Sequence, residues 1–176
     1  MTGTQIKSLA ETHLDGDIIT DSDAITWINE CQIEDLGLDA RVSNSVNITV
    51  TDTTIWQNLP NQFLAVDEVR DINDSEYEGG YVLRNGKIRF DQKGTFTVWY
   101  WELPIELTAL TETPQAHILL HRPIALFLAS RFKSQDDDEN QDAFRLMSEY
   151  EQKKSHALYQ IDNPLQDAYP VIRMVF

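Results

Sequence analysis

Cysteine is nearly missing from this chain: Cys31 is the only one. A single thiol rules out an internal disulfide and any thiolate metal cluster. Its apolar helical surroundings mark Cys31 as a small buried hydrophobe rather than a catalytic thiol. Basic residues are scarce too. Fourteen Lys and Arg face 29 Asp and Glu, for a formal charge of −15, and Lys7 is the only Lys or Arg among the first 40 residues. A protein that tracks phosphates or reads bases needs clustered cations, so this balance argues against a nucleic-acid binder. It suits a surface that repels DNA, or one that only keeps the protein in solution. No stretch is long and uncharged enough to read as a membrane span, for which about 20 apolar residues are needed. The N-terminus lacks a basic-then-apolar leader pattern, so the expectation is a protein made in the cytoplasm. GxSxG, Walker and GxGxxG patterns are absent, and Gly79-Gly80 reads as a turn, so no enzymatic activity is expected.

What the chain does have is one dominant apolar stretch, HILLHRPIALFLASRFKS at 117–134. Between Ile118 and Phe132 only His121, Arg122, Ser130 and Arg131 are strongly polar, and they do not clear a face. The pattern predicts a helix buried among others, kinked or broken at Pro123. Thr113-Pro114 reads as its start, an N-cap followed by Pro at the first helical position. Upstream, Ile6, Leu9, Ala10 and Leu14 predict a first helix over 4–14. A second should begin at Asp21 or Ser22 and end near Gly37, with a stripe of Ala24, Ile25, Ile28, Cys31 and Leu36. Downstream, Asp138 with Gln141 forms a capping-box pattern for a fourth helix with Phe144, Met147, Tyr150 and Leu158 on its inner face.

Between the helical halves the period falls to two. SVNITVT alternates Val46, Ile48 and Val50 with Asn47 and Thr49, and FLAVDEVRDI and TFTVWYWEL also read as strands. In YVLRNGKIRF, Asn85-Gly86 between two apolar runs is the signature of a type I′ hairpin, because both turn residues must accept positive φ. The fold class expected is therefore α+β. It comprises a four-helix α-helical core (residues 1–41 and 104–162), an inserted small antiparallel β lobe (42–103) and an extended C-terminal arm (163–176). Pro164 and Pro170 keep that arm out of a helix. Its end, Pro170, Val171, Ile172, Arg173, Met174, Val175 and Phe176, is apolar except for Arg173, where a free terminus is ordinarily polar.

Two clusters resemble metal sites and fail on detail. His117 and His121 have the i, i+4 spacing, but the intervening residues lack the Glu of HExxH and no third ligand is evident, so helix-terminus polar groups are the better reading. Asp136, Asp137, Asp138 and Glu139 lack the alternation, central Gly and distal Glu of a calcium loop, and read as a solvated capping run. No cofactor or metal is expected.

Five stretches taken in order resemble the head–tail connector, or portal adaptor, proteins of tailed bacteriophages. They are ITDSDAITWINECQIEDL, LPNQFLAVDEVRDI, GKIRFDQKGTFTVWYWELPIELT, TPQAHILLHRPIALFLASRFKSQDDDENQDAF and SEYEQKK, and the likeness covers roughly residues 15 to 160. The resemblance implies a structural virion protein at the head–tail interface, assembled in the host cytoplasm. Such proteins form a homo-oligomeric ring, dodecameric on the portal protein, that extends the DNA channel. They also offer a platform to the next neck or tail component, and packaged DNA passes through without specific binding. It further implies that 170–176 dock on the portal and that Asp136, Asp137, Asp138 and Glu139 border the channel. The alternatives are an acidic binding or DNA-mimic protein, and a stopper or tail-completion protein of the same neck.

Overall fold

The computed structural model describes residues 1–40, 42–135 and 140–163. Within it the chain divides into two compact units, Met1–Asp35 with Glu106–Phe176, and Leu36–Ile105.

The helical unit is assembled around one buried element. α1 (Gly3–Glu11) is started by a capping box: Thr2 Oγ1 accepts from the Gln5 amide, and Gln5 Oε1 accepts from the Thr2 amide. The Gly3 and Thr4 amides donate to the carbonyls of Glu112 and Leu110, both at 2.8 Å. The approach is close: a Cβ at Gly3 would stand 3.1 Å from Leu110, so a larger residue would need Leu110 to shift by a few tenths of an ångström. α2 (Asp21–Glu30) is capped one residue earlier than expected, by Thr20, whose side chain accepts from the Asp23 amide. α2 then widens into a π-helical turn (Cys31–Leu36) and tightens into a 3-10 turn (Gly37–Ala40), with Gly37 at φ 49°. α3 (His121–Lys133) is buried almost all round from Pro123 to Ser130, as its apolar pattern predicts. The expected kink does not occur. Pro123 lies in the first turn, where its missing N–H breaks no bond, so helix and proline agree. Thr113-Pro114 starts no helix; a short 3-10 turn (Ile118–Leu120), capped by His117, precedes α3 instead.

α4 (Asn140–Asp162) buries Ala143, Leu146, Tyr150 and Ala157. The expected stripe shares only Tyr150 with this set, and Phe144 is 76% exposed. The buried face combines two small residues, Ala143 and Ala157, with two large ones, Leu146 and Tyr150, both fully buried.

In the β unit, β1 (Ser43–Val50), β6 (Gly94–Glu102) and β3 (Phe63–Arg70) form one antiparallel sheet in the order β1-β6-β3. A second antiparallel sheet has the order β2-β5-β4, from β2 (Gln57–Asn58), β5 (Lys87–Phe90) and β4 (Tyr81–Arg84). Both contribute to one core of Ile48, Val50, Leu59, Val69, Ile88, Phe90, Phe96 and Val98. The Phe90 and Phe96 rings stack at 4.3 Å across it. The hairpin turn is as expected, with Asn85 at φ 50° and Gly86 at φ 68°.

The expected fold class needs correcting. The described residues mix α and β, but they do not form a clear four-helix core. Among the described residues, four helices of very unequal length accompany two small three-stranded sheets. α1 and α2 have 9 and 10 residues against 23 in α4, so at about 1.5 Å per residue they cannot form matched bundle layers. They are short pieces laid on α3, and only the α3–α4 pair packs extensively. The extended arm lies outside the described residues apart from Asn163, whose amide still bonds the Tyr159 carbonyl at 3.0 Å.

Candidate functional site

The residues that the sequence marks for channel and portal, Asp136, Asp137, Asp138, Glu139 and 170–176, lie outside the described residues. The two histidines are described, and the structure gives them different partners. His117 Nδ1 accepts from the Leu119 amide at the start of the 3-10 turn. His121 is buried, with Nε2 2.9 Å from the Ala116 carbonyl and Nδ1 2.8 Å from the N-terminal amine. A carbonyl only accepts and an ammonium only donates, so His121 is neutral with its proton on Nε2. Burial pushes its pKa below the ordinary value, which agrees with that state. The ring pins the N-terminus to α3. Among the described residues no three metal-type side chains converge.

Cys31 belongs to a second polar cluster, at the π-helical turn. The Tyr150 hydroxyl donates to Asp35, Lys154 Nζ reaches the same carboxylate at 3.0 Å, and Cys31 Sγ lies 3.7 Å from the Tyr150 oxygen. Burial pushes the Cys31 thiol up to about 12 and raises the Tyr150 phenol as well, so neither ionises at neutral pH. The cluster therefore offers no nucleophile. It ties the last residue of the unit's N-terminal part to α4.

Two apolar surfaces stand open among the described residues. The first is an open groove of about 870 Å³ in the helical unit. Leu9, Leu119, Pro123, Leu126 and Ala157 give it apolar walls, and Ile118 beside them is 67% exposed. Arg122, Lys153, His13 and His156 stand around it with one carboxylate, Glu149, reversing locally the sign of a chain of charge −15. This chemistry accepts an apolar segment that carries acidic groups.

The second surface is the β4–β5 hairpin. β4 is the outer strand of its sheet, and Tyr81, Val82, Leu83 and Arg84 are all exposed. Arg84, Lys87, Arg89 and Lys93 place four of the chain's 14 basic residues in and just beyond this hairpin. Arg89 stacks over Trp56 at 5.0 Å, while Arg84 and Lys87 make no ion pair among the described residues. Sequence reasoning missed both surfaces. The groove joins residues far apart in the chain, but the run of cations around Asn85-Gly86 was a readable signal.

No protein-family model matches the chain, and no curated protein matches it.

Proposed function

We propose that this chain is a structural virion protein, a head–tail connector that forms a ring under the phage portal, extends the DNA channel and carries the next neck or tail component. The observation that carries the reading is that an acidic chain of 176 residues leaves two apolar surfaces open, the α1–α3–α4 groove and the β4 edge. Exposed apolar surface of this kind is ordinarily covered by a partner. The five stretches in connector order add to that support. In this reading 170–176 dock on the portal, the acids at 136–139 border the channel, and no catalysis or cofactor is involved.

The test is to mix the purified protein with portal and follow the mixture by light scattering and negative-stain microscopy. Rings on the portal are expected, with the free protein monomeric or weakly associated. Failure to bind portal or any capsid vertex overturns the proposal. The formal charge of −15 favours a second reading, an acidic protein that occupies a basic enzyme groove. Binding to a basic nucleic-acid enzyme without portal binding would select it. A stopper or tail-completion protein would bind the assembled neck but not the bare portal.

A further inference from the structure

We infer that the β4–β5 hairpin docks on the 15–21 loop of a second copy of this chain. The hairpin presents a strand with one unpaired edge and three exposed apolar side chains, Tyr81, Val82 and Leu83, at 38%, 50% and 43%. An edge of that kind pairs with another chain unless something covers it. Arg84 and Lys87 flank the turn, and the only acid from 81 to 93 is Asp91, which already accepts from Tyr77 and the Gly80 amide. The partner must therefore be apolar at its centre and acidic at its margin.

The 15–21 loop meets that description within this chain. Ile18 is 74% exposed at its crest, and Asp15, Asp17 and Asp21 surround it. Asp21 pairs with Lys7 at 2.6 Å and Asp17 with Lys133 at 3.5 Å, while Asp15 makes no ion pair among the described residues. Residues 17–20 belong to no helix or strand; the Asp17 and Ile19 amides already donate to the Leu14 carbonyl and the Glu11 carboxylate, which leaves the Ile18 amide and carbonyl open to pairing among the described residues. Because the hairpin and the loop are different patches, the contact is head-to-tail. Such contacts close into rings when the rotation allows and extend into filaments when it does not. As the contact between ring neighbours it rests on the connector reading, but its test needs this chain alone, so the two can fail separately.

The test uses Ile18→Cys and Leu83→Cys as separate variants, mixed at high micromolar concentration and treated with a short bismaleimide. Both positions are exposed, and the buried Cys31 thiol, pushed up to about 12, leaves the background low. A cross-linked dimer is expected in the mixture and little in either variant alone. Adding Arg84→Glu and Lys87→Glu to the Leu83→Cys chain should lower its yield about tenfold, and raised salt should lower it as well. The inference is overturned if the mixture gives no dimer, if Leu83→Cys cross-links to itself equally well, or if the charge reversal leaves the yield unchanged.

Discussion

Removing one oxygen from Tyr150 tests how α4 is fastened to the π-helical turn. In Tyr150→Phe the ring stays, fully buried, edge-on to Phe127 at 5.5 Å between centroids. What is lost is the donation to Asp35 and the contact with Cys31 Sγ. A hydrogen bond to a charged acceptor contributes about 1.5–3 kcal/mol when shielded from water. The Asp35 side chain is 32% exposed and keeps Lys154 at 3.0 Å, so the low end applies, ~1–2 kcal/mol. For a protein of this size that is a fall in Tm of about 2–8 °C. Tyr150→Ala also removes the ring and leaves a cavity, and should lose ~3–5 kcal/mol. Urea and thermal unfolding followed by far-UV circular dichroism measures both. The reasoning fails if Tyr150→Phe matches the parent, which would make the hydroxyl inert. It also fails if Tyr150→Phe is as damaging as Tyr150→Ala, which would make the ring irrelevant.

His121 supplies a pH dependence. Its folded pKa lies below the ordinary 6.5, so the unfolded chain binds the proton more tightly. Its contribution is therefore complete above about 6.5 and is lost as pH falls through the lower folded value; His121→Gln should flatten that part of the stability profile. Gly86→Ala places a Cβ at φ 68° and should cost about 1 kcal/mol in urea unfolding, whereas Asn85→Gly should shift the midpoint little. Deleting 170–176 should abolish portal binding while thermal stability is kept; a large drop in Tm would make the tail part of the core. Lys in place of Asp136, Asp137, Asp138 and Glu139 should alter DNA retention or ejection, and unchanged behaviour would leave these acids as a solvated run.

Local chemistry was legible where one interaction dominates. The apolar run of α3, the alternation of β1 and β6 and the Asn85-Gly86 turn each follow from neighbours in sequence. The register of α4 did not, because Tyr150 fits two stripes. Hydrophobicity favours Phe144 and Met147, but close packing on α3 selects Ala143 and Leu146. Pro114 and Pro123 are both compatible with a first helical turn, and only tertiary packing chooses the second. The π-helical widening at Cys31 has no breaker to announce it before Gly37. The second sheet depends on β2, two residues long, meeting β5 about 30 positions later, which no local period records. Of the proposed sites, the polar pairing of His121 could not be read because its partners are the chain's first residue and a backbone carbonyl.

The helical unit is discontinuous along the chain, and this sets an order of events during synthesis. α1 and α2 emerge well before His121, the start of the helix they pack on, 86 residues after Asp35. At ribosomal speeds the wait is roughly 4–17 s, and helices of 9 and 10 residues are marginal alone over that time. The β unit is one continuous segment and can fold in the interval. Once β1 and β6 pair, Ser43 stands opposite Trp101, and about 5 Å replaces a long flexible loop. Pairing β1 with β6 shortens the effective loop between the two halves of the helical unit and so lowers the entropic cost of closing them. Weakening β1–β6 pairing should therefore slow the refolding of helices that it does not belong to.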